Sequence, residues 1–356
     1  MPISIMIKPA SAACNLKCEY CFYNCVAQSR QEFNKGIMKQ ETAEKIIKSA
    51  LDFADDEVVI TFQGGEPLLV GIDFYDGFVK LVKKLNKNMV KFSISLQTKA
   101  TLINEQWCEF FRNNGFLIGV SLDGDRQLNA YRKFADGGEA FDDMLRGIEL
   151  LKKYKIPFNI LSVLSKNIAN NFRKTYRFFK SLDLTYLQYI PCLKPFNSDD
   201  NEYSMSSADY ENYLNSAFKI YYNDVCRGQS ISIRQFDNYR LLASNKNAEQ
   251  CGMNGTCSTQ FVVEGDGSVY PCDFYCTDDW LLGNINELSF KQMYNSPKAV
   301  EFIKDSFKLR EECKECRYFY LCRGGGCKRN REAYDYCTAY KSFFEKNEEL
   351  ILKIRA

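Results

Sequence analysis

Cys14-Asn15-Leu16-Lys17-Cys18-Glu19-Tyr20-Cys21 sets three cysteines three and two residues apart, shortly after the apolar run Ser4–Ile7. That spacing lets a single loop wrap three corners of a cuboidal iron-sulfur cluster. Three thiolates leave one iron without a protein ligand. An open iron can take the amino and carboxylate groups of a small molecule and pass an electron into it. A structural zinc site would instead close its fourth position, and Cys25 is the nearby thiol that could do so.

Outward from this loop, β-rich runs alternate with amphipathic segments, the pattern of a parallel α/β sheet or barrel. Strands are expected at Ser4–Ile7, Val58–Phe62, Lys91–Leu96, Leu117–Leu122, Phe158–Val163 and Tyr186–Ile190. Helices are expected at Glu41–Phe53, Phe74–Leu85, Glu105–Asn113, Phe141–Tyr154 and Asn171–Ser181, where apolar residues recur three or four apart. Six strands joined by helices predict an incomplete barrel. A polar linker over 194–204, with Pro195, Asn197, Ser198, Asp199 and Asp200, precedes a further helix at Ser206–Tyr222. The division expected is a large domain over residues 1–235 and a smaller one over 236–356, closed by a helix at Tyr340–Ile354.

Lys plus Arg number 47 against 45 Asp plus Glu, so no broad basic field exists to grip a phosphate backbone, and a nucleic-acid partner is not expected. Nowhere do about 20 apolar residues follow one another, and the N-terminus has no cleavage-site pattern. A soluble cytoplasmic protein with no membrane partner is expected. In that compartment 16 Cys point to metal rather than to disulfides. The chain has no His, so ligation falls to thiolates and imidazole acid-base chemistry is excluded.

Between Cys251 and Cys337 regular periodicity weakens while Cys, Gly and aromatic residues become dense, as where metal ligation replaces a large core. Nine cysteines lie there: Cys251, Cys257, Cys272, Cys276, Cys313, Cys316, Cys322, Cys327 and Cys337. Setting Cys276 aside leaves eight, enough for two fully ligated four-iron clusters. Paired four-cysteine zinc ribbons also use the Cys-x2-Cys spacing seen at Cys313 and Cys316.

The N-terminal loop, together with Gln63-Gly64-Gly65-Glu66-Pro67 after the second expected strand, resembles the radical S-adenosylmethionine (SAM) superfamily. In that family the Gly-Gly-Glu-Pro motif lies against the methionyl amine of SAM. Two glycines allow close backbone approach, and a carboxylate can accept from an ammonium. The fold implied is a partial (β/α)6 TIM-like barrel. By the same resemblance Tyr23, Gln63, Gly64, Gly65, Glu66, Gln97, Ser121 and Arg146 are expected near SAM. Ser121 and Gln97 would sit at carboxyl ends of strands, where barrel chemistry gathers. The C-terminal cysteines resemble the SPASM domain. That likeness assigns Cys251, Cys257, Cys272 and Cys327 to one auxiliary cluster, and Cys313, Cys316, Cys322 and Cys337 to the other. With the first cluster this makes three 4Fe-4S clusters.

Further stretches, including Ile7-Lys8-Pro9-Ala10-Ser11, Cys21-Phe22-Tyr23, Cys251 to Cys257 and Gly267 to Tyr275, are similar to the anaerobic sulfatase-maturating enzymes. This implies oxidation of a Cys or Ser in an unfolded sulfatase segment to Cα-formylglycine, started by a 5'-deoxyadenosyl radical at the substrate Cβ. Asp273 matches the family's general base, and the auxiliary clusters its acceptor for the second electron. A carboxylate suits the task because burial can lift its pKa toward neutrality. Alternatively, Asp273 orders the turn after Cys272. A flavodoxin or ferredoxin is the expected electron donor.

Three departures from the family pattern stand out. Cys322-Arg323-Gly324-Gly325-Gly326-Cys327 carries one extra residue, Asp123-Gly124-Asp125-Arg126 replaces a Gly-Pro followed by a His, and Lys99-Ala100 replaces Asn-Gly after Gln97-Thr98. Changes at the site mouth leave a second reading in the same chemistry, the modification of a ribosomal peptide by thioether formation, carbon-carbon crosslinking or epimerisation. Such modifiers often carry a separate leader-binding domain, whereas here the barrel pattern begins at once. A third reading is a non-enzymatic metal-binding module. Cys25, Cys192 and Cys276 receive no role.

Overall fold

A computed structural model of the protein describes residues 2–196 and 201–355; Asn197, Ser198, Asp199 and Asp200 of the expected linker lie outside the described residues. The strands in chain order are β1 (Ile3–Ile7), β2 (Glu57–Phe62), β3 (Lys91–Thr98), β4 (Leu117–Ser121), β5 (Phe158–Leu164), β6 (Tyr186–Pro191), β7 (Ser232–Ile233), β8 (Val262–Val263), β9 (Ser268–Tyr270) and β10 (Gly283–Asn284). The first six match the expected strands to within one or two residues at each end.

Packing divides the chain into two compact units, each discontinuous in sequence. The first comprises residues 1–121, 131–158 and 259–302. In it the strands run β10-β9-β8-β1-β2-β3-β4, with β1 to β4 and β8 parallel and the short β9 antiparallel to both its neighbours, β8 and β10. On β1 and β2 alternate residues, Ile3, Ile5 and Ile7 with Val58, Ile60 and Phe62, are buried. Phe62 meets Tyr75 and Phe78 of the helix Ile72–Leu85 edge-on, at centroid distances of 4.9 and 5.1 Å. Truncating such a ring costs about 3–5 kcal/mol. The opposite face of the sheet is partly polar, with Thr61 and Ser95 hydroxyls 2.9 Å apart across β2 and β3.

Register decides which side chains gather beyond the strands. Ile7 lies opposite Phe62 on one side and Val263 on the other. Lys8, Gln63 and Glu264, the next residues in each strand, therefore emerge side by side at carboxyl ends. Thr98 lies opposite Val120, which brings Lys99 and Ser121 to the same edge.

The second unit comprises residues 122–130, 159–258 and 303–356. It contains parallel β5, β6 and β7 and a helical core. The helices Ser207–Cys226, Arg234–Ala243 and Cys337–Lys353 bury Tyr213, Phe218, Phe236 and Phe343, with Phe218 edge-on to Phe236 at 5.4 Å and to Phe343 at 5.6 Å. A capping box between Ser206 and Asp209 starts the first of these helices. Regular structure persists through the cysteine-rich stretch further than its weak periodicity predicts. It includes the helix Pro297–Ser306 and the strand pair β8 and β9, each too short for alternation to reveal. Among the described residues no helix is long and apolar enough to cross a membrane.

Candidate active site

The three-cysteine loop is clamped by backbone on two sides. Gly65 N donates to Ser11 O at 2.9 Å and Glu66 N to Ala13 O at 2.8 Å, while on the other flank Lys17 N reaches Lys133 O at 2.8 Å and Glu19 N reaches Tyr131 O at 3.1 Å. The glycines are required by this approach. A Cβ on Gly65 would stand 1.9 Å from the Ala13 carbonyl oxygen, and Gly64 has φ +112°.

Burial pushes the Cys18 thiol up to about 11, against the pull of Arg132 and Lys99, and raises the Cys14 thiol against Lys99 and the Leu16 amide. A bound iron centre would deprotonate such thiols outright, and the two nearby cations offset the charge that results. The donor set thus fits a three-thiolate cluster. Cys25 lies on the helix Phe22–Gln28 that follows, its amide bonded to the Cys21 carbonyl at 3.3 Å.

Glu66 is fully buried and its carboxylate is spent within the protein. Oε1 accepts from Leu68 N at 3.1 Å and from the Thr98 hydroxyl at 2.9 Å, and Oε2 accepts from Lys99 N at 2.9 Å. The atom that meets an ammonium here is the Gly65 carbonyl oxygen, to which Lys99 Nζ donates. Gln97 is half-buried on β3, opposite Gly119, and Ser121 is buried at the end of β4. Arg146 lies on the helix Phe141–Lys153, half exposed and paired with Asp143 at 2.6 Å. It also donates to Thr101 O at 3.1 Å, and the Thr101 hydroxyl accepts from Asn15 Nδ2 at 2.9 Å. Its link to the cysteine loop therefore runs through Thr101 and Asn15.

Asp273 opens a short turn, Asp273–Tyr275, directly after Cys272, and is buried. Its Oδ1 lies 2.8 Å from Lys8 Nζ; its Oδ2 accepts from the Tyr23 hydroxyl at 2.8 Å and from Gln63 Nε2 at 3.4 Å. Gln63 Nε2 also donates to the Tyr23 hydroxyl. The structure therefore joins Tyr23 and Gln63, expected near SAM, to Asp273. It adds Lys8, which sequence reasoning passed over. The one available signal was a cation directly after an apolar strand.

Behind Asp273 the charges are balanced. Lys8 Nζ lies 3.5 Å from Glu264, which pairs with Arg30 at 2.8 Å. Burial works against the Lys8 ammonium, but Asp273 and Glu264 outweigh it and hold Lys8 above the ordinary lysine value. Burial likewise opposes the Glu264 carboxylate, yet Lys8 and Arg30 keep it below its usual range. Burial, followed by the Asp273 charge, puts the Tyr23 hydroxyl well above its ordinary value. Cys276 is fully buried, accepts from Lys8 Nζ at 3.2 Å, and is pushed by burial up to about 12.

In the second unit Cys313, Cys316, Cys322 and Cys337 line one cavity of about 500 Å³. Burial pushes the Cys322 thiol up to about 12, opposed by the Gly325 and Gly324 amides and reinforced by Cys337 and Cys313. Four thiols around such a space fit a fully ligated cluster. Cys251, Cys257 and Cys327 gather separately. A Cβ on Gly252 would lie 2.9 Å from Cys327 Cβ, and burial pushes the Cys327 thiol up to about 11, with the charges of Cys251 and Cys257 adding to it. The lengthened Cys322–Cys327 loop takes φ of +89°, +95° and +90° at Gly324, Gly325 and Gly326, which only glycine adopts freely. Cys272 belongs to the first unit, at the end of β9. Cys192 is buried in the second unit, its carbonyl accepting from the Tyr334 hydroxyl at 2.9 Å.

Comparison with known proteins gives a consistent picture. The model of the radical SAM superfamily matches residues 9–179, and that of an iron-sulfur cluster-binding domain, SPASM, matches residues 234–317. The chain is 44% identical over 355 residues to the cysteine-type anaerobic sulfatase-maturating enzyme of Clostridium perfringens (strain 13 / Type A), covering 97% of this chain and 96% of that protein. It is 31% identical to the serine-type anaerobic sulfatase-maturating enzyme of Bacteroides thetaiotaomicron, covering 93% of this chain and 83% of that one. The solved structure of native anSMEcpe with bound AdoMet and Cp18Cys peptide superimposes with a TM-score of 0.94 at 42% identity, covering 100% of this chain and 99% of that one.

Proposed function

The chain belongs to the anaerobic sulfatase-maturating enzymes, within the radical SAM superfamily and with a SPASM iron-sulfur domain, and from that membership we propose that it oxidises a cysteine of an unfolded sulfatase segment to Cα-formylglycine. Higher identity to the cysteine-type relative than to the serine-type one supports cysteine as the residue oxidised.

The observation that carries the reading is Asp273, a buried carboxylate held at once by Lys8, Tyr23 and Gln63 beside the strand ends. In our assignment Cys14, Cys18 and Cys21 hold the first cluster, and Gly64 and Gly65 lie against the methionyl end of SAM, with the Gly65 carbonyl as acceptor for its ammonium. When bound, cluster and SAM supply one electron and a 5'-deoxyadenosyl radical, which takes a hydrogen atom from the substrate Cβ. Asp273 takes the thiol proton, and Lys8 at Oδ1 with Tyr23 at Oδ2 fixes the orientation of the carboxylate. Two auxiliary clusters, which with the first would make three, would accept the one remaining electron. Water then replaces sulfur in the resulting thioaldehyde and hydrogen sulfide leaves. Gln97, Ser121 and Arg146 complete the SAM site in this reading.

The same proposal divides the chain functionally near residue 235, the barrel before it and the auxiliary-cluster domain after it. It places the protein in the cytoplasm and makes a flavodoxin or ferredoxin its reductant. To test it, anaerobically reconstituted protein is incubated with SAM, dithionite and a Cys-containing sulfatase peptide, and the peptide is weighed. Replacement of one sulfur and two hydrogens by one oxygen is expected. An unchanged peptide alongside continued 5'-deoxyadenosine release would turn the reading toward a ribosomal-peptide substrate.

A further inference from the structure

Lys99 stands where the family pattern has asparagine, and its surroundings give it a use. The chain turns sharply at the end of β3. Lys99 N bonds Glu66 Oε2 at 2.9 Å, and Ala100, whose amide bonds the Thr98 hydroxyl at 3.0 Å, takes a left-handed φ of +62°. This turn sends the Lys99 side chain back across the glycine pair, where its ammonium donates to the Gly65 carbonyl. From there its charge acts on Cys14, Cys18 and Cys21 together, as well as on Glu66.

Those four groups make the region strongly anionic once the cysteines are thiolates. The Glu66 oxygens accept from two amides and a hydroxyl, and the Lys99 charge adds to these. Arg132, stacked 5.5 Å over the Tyr20 ring, acts on Cys18 from the other flank of the loop. The Lys99 charge reaches all three thiols. A fixed positive charge in a poorly solvated site favours whichever redox state carries more negative charge.

We propose that Lys99 is a built-in countercharge for the cluster held by Cys14, Cys18 and Cys21, raising its reduction potential and so favouring the reduced form that delivers the electron. The inference rests on the cluster assignment made above. Lys99 is a positioning and tuning residue rather than a catalytic one.

The test is a redox titration of the full-length reconstituted protein without SAM, following by electron paramagnetic resonance the signal that later addition of SAM perturbs. Lys99→Met is expected to cut the reduced-to-oxidised ratio at a fixed potential by about tenfold, equal to about 59 mV for a one-electron couple. Lys99→Arg should keep the original midpoint, and Lys99→Gln serves as the neutral variant if methionine prevents cluster assembly. An unchanged or higher midpoint in the neutral variant overturns the inference, as does an arginine variant shifted as far as the methionine one. Protein that assembles no cluster at these cysteines contradicts the functional reading as well, whereas an assembled cluster indifferent to residue 99 contradicts the role of Lys99 alone.

Discussion

Lys8 Nζ lies 2.8 Å from Asp273 Oδ1, with both side chains buried and 264 of the 356 residues between them in sequence. A carboxylate so placed cannot rotate freely, and its charge is matched before any substrate arrives. Positioning of this kind is worth about 10²-fold when a displacement near 1 Å is prevented. Lys8→Met is therefore expected to lower formylglycine formation by about that factor while 5'-deoxyadenosine is still released. Both products quantified in one reaction check it. Equal loss of the two would reduce Lys8 to a structural role.

Asp273→Asn removes the proton acceptor but keeps the shape of the side chain. Formylglycine should fall by about 10² to 10⁴-fold, the usual contribution of a general base, with SAM cleavage retained. Undiminished product would remove Asp273 from the reaction.

Gly65→Ala forces a methyl group to within 1.9 Å of the Ala13 carbonyl unless the backbone moves. That carbonyl lies directly before Cys14, in the irregular segment between β1 and the cysteine loop, so the loop and not the whole fold should give way. The variant is expected to lose about four irons per chain, one cuboidal cluster, and to stop cleaving SAM. Iron analysis equal to the parent protein would show that the loop tolerates the shift.

Cys276 and Cys272 are four residues apart and should behave oppositely. Burial holds the Cys276 thiol near 12, so it stays protonated below that pH and should resist iodoacetamide at pH 8 in the folded protein. Cys276→Ala is expected to keep full iron content, while Cys272→Ala loses iron from an auxiliary cluster. Mass mapping of alkylated peptides and iron analysis check the two halves separately.

Much of this was legible from local pattern. The alternating apolar runs located β1 to β6 closely, and the cysteine loop with Gly64 and Gly65 pointed to the first cluster because short-range spacing encodes both. Less legible was whatever depends on register. Lys8 reads as an ordinary residue after a strand until β1 is seen between β2 and β8, which sets it beside Gln63 and Glu264. Glu66 read as a partner for an ammonium, whereas the turn at Leu68 and the end of β3 take up both its oxygens. Strands of two or three residues, such as β8 and β9, carry too little alternation to be seen before folding pairs them.

The proposed reaction begins at the substrate Cβ, which separates it from peptide modifications that begin at Cα. A sulfatase peptide carrying deuterium only on the Cβ of its cysteine tests this directly, by mass analysis of the 5'-deoxyadenosine formed. Deuterium in the nucleoside, together with an aldehyde in the peptide, is the predicted result. Nucleoside free of label while the peptide is modified would contradict the account.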